Sequence, residues 1–122
     1  MRVLIIDDED DIRRIVRISL VNLGGMDVVE ASSGGEGIKR AREGALDLIL
    51  LDVMMPGLDG PSTLAALRSD PRTASIPVIF LTAKAMSPEL ERLNGLGVAA
   101  VLVKPFDPTT LPAQVGAALG RA

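Results

Sequence analysis

An α/β domain built on a doubly wound parallel sheet, with helices on both faces, is the fold this sequence predicts. Two observations lead there. Apolar runs alternate with amphipathic stretches five times along 122 residues, and such strand–helix alternation is the pattern of parallel strands joined by right-handed crossovers. The runs also lack an alternating polar face, as expected of strands covered on both sides. At this length the chain makes one domain with a core of its own.

The strand candidates are residues 3–6, 27–31, 47–51, 76–81 and 99–103. The first, Val3-Leu4-Ile5-Ile6, runs straight into five acids, Asp7-Asp8-Glu9-Asp10-Asp11. A helix comes next, with Ile12, Ile15, Val16, Leu20 and Leu23 at helical spacing on the core side. Arg13, Arg14 and Arg17 fall on the other side, and Ile18 and Val21 lie off the stripe as an exposed pair. After the second strand, Ser32-Ser33-Gly34-Gly35-Glu36-Gly37 resembles a phosphate cradle but lacks the P-loop lysine. It reads instead as the serine-capped start of a helix over 34–43. The third strand ends beside Asp52 and leads to a helix over 61–69. The fourth ends beside Thr82. Ser87-Pro88 then supplies an N-cap and a first-turn proline for a short helix that Gly95 terminates. The fifth strand ends beside Lys104. Asp107-Pro108 opens the last helix, but Pro112, Gly116 and Gly120 weaken it, so regular helix is expected from about Thr110.

Composition removes several function classes. A net charge of −3 and a pI of about 4.9 argue against a nucleic-acid partner, which needs a basic face. With no cysteine there is no disulfide, thiolate nucleophile or sulfur-bound zinc; with no histidine the usual general base is missing. Phe80 and Phe106 are the only aromatics, too few for a stacking platform. No signal pattern and no membrane-length apolar run occurs, so a soluble cytoplasmic protein is expected.

What remains is a constellation at the carboxyl ends of the strands, where doubly wound sheets bind ligands. Asp7 and Asp8 follow the first strand, Asp52 the third, Thr82 the fourth and Lys104 the fifth. Taken singly, acids before a helix serve its dipole, an Asp or Thr after a strand is a turn residue, and a lysine is solvated. Together they are not explained that way. Two carboxylates ~4 Å apart at an effective dielectric of ~20 repel by about 4 kcal/mol. A hard divalent cation held by oxygen ligands relieves that repulsion.

The runs Ile5-Ile6-Asp7-Asp8, Leu51-Asp52-Val53-Met54-Met55-Pro56-Gly57-Leu58-Asp59-Gly60, Leu81-Thr82-Ala83 and Lys104-Pro105-Phe106 resemble the receiver domain of two-component response regulators. The resemblance spans Val3 to about Leu119. It implies a flavodoxin-like, five-stranded parallel sheet in the order 2-1-3-4-5. It implies a Mg²⁺ site (Mn²⁺ as the alternative) made by Asp8, Asp52, the Met54 carbonyl and, through water, Asp7. Asp52 would be the phosphoacceptor, with Thr82 and Lys104 contacting phosphoryl oxygens, and Lys104-Pro105 would be cis. The implied partners are a histidine kinase or histidine phosphotransfer protein and a downstream protein target. Ile12 and Phe106 are the expected kinase contacts, Ile18 and Val21 further candidates, and Val101 is grouped with this partner-binding set. Such a protein would be a monomer or weak dimer and would catalyse only its own phosphorylation and dephosphorylation.

The chain departs from the family at Val101, where receivers carry a Tyr or Phe that swings inward on phosphorylation. The usual threonine–aromatic coupling is therefore in doubt. Met54 and Lys84 stand where relatives gate the attacking water, which points to slow self-dephosphorylation. Residues 1–122 read as a receiver with no output domain, and so as a free-standing regulator or relay shuttle; a piece of a longer protein is the alternative. Two rival functions are a degenerate receiver that binds partners without phosphorylation and a Mg²⁺-dependent phosphatase. The second would place its nucleophile after the first strand with Glu9 as partner acid, and has no cap domain for a substrate.

Overall fold

The computed structural model describes residues 1–83 and 87–120. In chain order it comprises β1 (Arg2–Ile6), α1 (Asp10–Ile18), a π-helical segment (Ser19–Leu23), β2 (Asp27–Ala31), α2 (Gly34–Arg42), β3 (Leu48–Asp52), α3 (Gly60–Arg68), β4 (Val78–Thr82), α4 (Ser87–Asn94), β5 (Ala100–Val103) and α5 (Leu111–Ala118). The five strands pair in parallel in the order β2-β1-β3-β4-β5.

The uniformly apolar strands have a direct reason. Alternate side chains of one strand enter two different cores. Leu4, Ile6, Ile49, Leu51, Val78 and Phe80 face α2, α3 and α4, where Ala41, Leu64, Leu67 and Leu93 close the layer. Val3, Ile5, Leu48, Leu50, Ile79 and Leu81 face the other way, against Val16 and Leu20 on the first helix and Leu111 and Val115 on α5. In β3 and β4 every residue is buried.

Two of the helices, α2 and α3, start at side-chain caps. The Ser33 hydroxyl accepts the Glu36 N–H at 3.1 Å, and the Asp59 carboxylate accepts the Ser62 N–H at 2.9 Å. The last helix starts at Leu111, close to the expected Thr110. Ahead of it the Asp107 carboxylate accepts both the N–H and the hydroxyl of Thr109, a local turn that competes with helix. Pro112 sits in the first turn, where its missing N–H has no partner to lose.

The first helix corrects the sequence reading at two positions. Ile15 is 38% exposed and Leu23 60% exposed, so neither belongs to the core stripe. The buried face is Val16, Ser19 and Leu20, with Ile12 half-buried beside them. A π turn adds residues to the helical repeat and so rotates the side chains beyond it, which carries Leu23 off the face. Ser19, a polar residue at a core position, donates its hydroxyl hydrogen to the carbonyl of Pro108 and is thereby satisfied. Ile18 and Val21 are exposed, as expected. Helix α4 takes in Ser87 itself, one residue earlier than a cap there would have it.

At Gly60 the backbone of α3 closes on the end of β3. An added Cβ would meet the Asp52 carbonyl oxygen at 2.6 Å and the Val53 Cα at 2.7 Å, main-chain atoms that cannot yield. Gly60→Ala is expected to destabilise the domain by about 1–3 kcal/mol, the usual range for overpacking. Thermal unfolding followed by circular dichroism, a probe that needs no tryptophan, measures this.

Candidate functional site

Register brings the site together. Ile6 of β1 stands beside Leu51 of β3, so Asp7 and Asp52 occupy the next rung on adjacent strands. Adjacent strands lie ~4.8 Å apart, which fits one carboxylate oxygen from each of Asp7, Asp8 and Asp52 lying within 4.8 Å of one another. On the far side, Thr82 pairs in register with Val103, and the Lys104 N–H donates to the Thr82 carbonyl at 2.7 Å. The lysine side chain thus starts at the end of β5, at the level of the acids.

Lys104 reaches both buried carboxylates, with Nζ 2.8 Å from Asp7 Oδ2 and 3.3 Å from Asp52 Oδ1. Asp7 is fully buried and its other oxygen accepts the Glu9 N–H at 2.9 Å. Asp52 is 4% exposed, while Asp8 faces solvent. Burial, and after it the neighbouring Asp7 charge, push the Asp52 carboxyl up to about 6; Lys104 and the Met54 N–H, 3.4 Å away, pull the other way without prevailing. Burial alone would lower the Lys104 ammonium, but its hydrogen bond to Asp7 and the charges of Asp7 and Asp52 win and raise it.

Three carboxylates therefore face one ammonium. The donors are all oxygen and carry excess negative charge, and among the described residues no nitrogen or sulfur ligand competes. Such a set fits Mg²⁺ or another hard divalent cation. Thr82 is 1% exposed at the end of the adjacent strand, and the Lys104–Pro105 peptide is cis.

The remaining residues singled out from sequence lie around this centre. Met54 is 62% exposed at the rim. Val101 is half-buried, in register with Phe80, and packs against the core under α4. Ile12 and Phe106 are likewise half-buried and pack against the core under α1 and α5, which leaves each only part of its surface for a partner. Lys84 falls outside the described residues.

One residue escapes the sequence reading. Arg13 belongs by periodicity to the solvated side of the first helix, yet its side chain is only 13% exposed. Its Nη1 donates to the Asp7 carbonyl at 2.6 Å and its Nε to Glu30 at 3.3 Å, and it pairs with Asp10. The only trace of this in the sequence is the i, i+3 spacing of Asp10 and Arg13.

Comparison with known proteins identifies the family and the fold. The family model described as the response regulator receiver domain matches residues 3–116. The chain is 41% identical over 122 residues to the DNA-binding dual master transcriptional regulator RpaA of Synechocystis, covering 98% of this chain and 49% of that protein. It is 37% identical over 123 residues to the alkaline phosphatase synthesis transcriptional regulatory protein PhoP of Bacillus subtilis, covering 99% and 49%. The chain thus spans about half the length of the curated relatives it matches. Among solved structures, the chemotaxis protein CheY4 of Vibrio cholerae superposes with a TM-score of 0.87 at 30% identity, over 96% of this chain and 97% of that one.

The raised Asp52 carboxyl has a stability consequence with a definite sign. Between its ordinary value of 3.8 and about 6 the native state holds a proton that the unfolded chain has lost. The contribution of this group to stability therefore falls as pH rises through that window, and the loss is complete above it. Asp52→Asn should flatten this part of the pH profile. It should also raise the neutral-pH melting midpoint by about 5 °C, relieving roughly 1–3 kcal/mol of repulsion. Melts of both proteins across pH 4–8 check the slope and the offset.

Proposed function

The chain belongs to the response regulator receiver domain family, and on that premise we propose that it is a phosphorylation-switched signalling module whose phosphoacceptor is Asp52. The observation that carries the proposal is the ammonium of Lys104 shared between Asp7 and Asp52, in a pocket where a third carboxylate, Asp8, lies within reach of the same point.

In the proposed reaction an Asp52 oxygen attacks the phosphorus of a phosphohistidine on a histidine kinase or phosphotransfer protein. The P–N bond breaks, its electron pair stays on the imidazole nitrogen, and that nitrogen takes a proton from solvent. The nucleophile must be ionised, and above about pH 6 Asp52 is. Asp8, Asp52 and the Met54 carbonyl would hold Mg²⁺, with Asp7 reaching it through water. A bound Mg²⁺ supplies positive charge beside the equatorial phosphoryl oxygens. Lys104 would turn to one of those oxygens the ammonium that pairs with Asp52 at 3.3 Å at rest, and the Thr82 hydroxyl would donate to another. This role of the chain is that of a substrate which organises its own modification.

Output requires a changed surface for a downstream target. Val101 is too small to sweep the arc an aromatic ring would, so the signal passes through the loop after Thr82 and through α4. The apolar Met54 side chain at the rim cannot orient an attacking water, which favours a long-lived acyl phosphate. Val101 also motivates a second reading, in which the domain binds its partner without regard to phosphorylation. Partner affinity that is unchanged by a beryllofluoride phosphoryl mimic would favour that second reading.

Acetyl phosphate or phosphoramidate with Mg²⁺ should add one phosphoryl group, seen by intact mass. Asp52→Asn should abolish the label, and label at wild-type level in that variant would overturn the assignment. Lys104→Met should slow labelling by about 10²–10³-fold, the usual effect of removing one donor to developing charge. Met54→Asn, which can hold a water, should shorten the lifetime of the label.

A further inference from the structure

We infer that Arg13 is a positioning residue for the divalent-cation pocket, acting through the Asp7–Asp8 peptide. The inference rests on the receiver reading of Asp7, Asp8 and Asp52 and adds to that set a residue from the face of the first helix.

The Asp7 carbonyl that Arg13 holds at 2.6 Å is the oxygen of the peptide joining Asp7 to Asp8. A peptide unit is planar, so fixing its oxygen fixes the direction in which the Asp8 Cα leaves. Asp8 is exposed, unlike the buried Asp7 and Asp52. Its position comes from the main chain on either side. Asp7 is already tied at its N–H, which donates to Ala31 at 3.1 Å, and at its carboxylate, which takes Glu9 and Lys104. Arg13 supplies the remaining tie, from the β2 side of the loop. The lysine holds the same residue from the β5 side.

The fork of the guanidinium suits this task and a point charge does not. Arg13 serves three acceptors at once: the Asp7 carbonyl, Glu30 on β2, and Asp10. Glu30 is held by Arg17 as well, at 2.6 Å. The Arg13 charge is therefore neutralised where it stands. What it transmits to the pocket is geometry. This fixes the sign of the effect: a bare positive charge near a cation site weakens binding, so removing it would tighten Mg²⁺. Removing a positioning group weakens Mg²⁺.

Calorimetric titration of Mg²⁺ into the wild type, Arg13→Ala, Arg13→Gln and Arg17→Ala decides between these, well below each melting transition so that lost stability alone does not move the affinity. Arg13→Ala should bind about tenfold more weakly, at the low end of what outer groups around a metal contribute. Arg13→Gln, which keeps an amide donor without the charge, should fall between it and wild type. Arg17→Ala, which breaks the Glu30 pair but not the carbonyl contact, should stay within about twofold of the wild type, as expected for a partly exposed ion pair. If Arg13→Ala does not fold, Arg13→Gln against Arg17→Ala carries the comparison. Unchanged or tighter binding in the Arg13 variants, or an equal loss in Arg17→Ala, would overturn the role of Arg13 while leaving the pocket itself intact. A wild type that binds no Mg²⁺ would overturn both.

Discussion

The ammonium of Lys104, 2.8 Å from one buried carboxylate and 3.3 Å from another, is the contact on which the site depends. Asp7 and Asp52 are adjacent strand ends with almost no access to water. Without a cation between them their mutual repulsion, amplified by low dielectric, would drive the loops apart or protonate one acid. One lysine faces both of them, and burial first and the Asp7 charge second still push the Asp52 carboxyl up to about 6. The pocket is thus held together and left short of positive charge at the same time. A hard divalent cation is what such a pocket is suited to receive.

The rest of the fold serves to keep these groups at one level. Parallel strands all present their carboxyl ends to the same edge, and the order β2-β1-β3-β4-β5 puts the strands bearing Asp7, Asp52, Thr82 and Lys104 side by side. β3 and β4, which carry Asp52 and Thr82 at their ends, are buried along their whole length. Close backbone contact at Gly60 brings α3 directly beneath Asp52. Local side-chain caps at Ser33 and Asp59 start helices without drawing on the acids of the site.

Much of this is legible in the sequence because strong chemistry and simple periodicity coincide. Uninterrupted apolar runs mark doubly covered strands, and the observed ends differ from the expected ones by no more than two residues. The strand-end acids, the threonine and the lysine stand out because each ends such a run. The failures have equally physical causes. Leu23 reads as core because hydrophobic spacing assumes a uniform α-helix, and the π turn at Ser19–Leu23 breaks that assumption; Ile15, ahead of that turn, is 38% exposed without it. Ser19 is invisible as a core residue because its partner, the Pro108 carbonyl, is a main-chain group 89 positions away. Arg13 escapes for the same reason, since a carbonyl acceptor leaves no mark in the residue alphabet.

The charge shortfall at Asp52 gives the pocket its direct test. Millimolar Mg²⁺, by binding the native state alone, should raise the melting midpoint in scanning calorimetry by several degrees, corresponding to about 1–3 kcal/mol by linkage. Asp8→Asn should lose most of that shift. Calorimetry is the suitable probe because the chain has no tryptophan or tyrosine. A midpoint indifferent to Mg²⁺ in the wild-type protein would contradict the view that these acids are assembled around a missing positive charge.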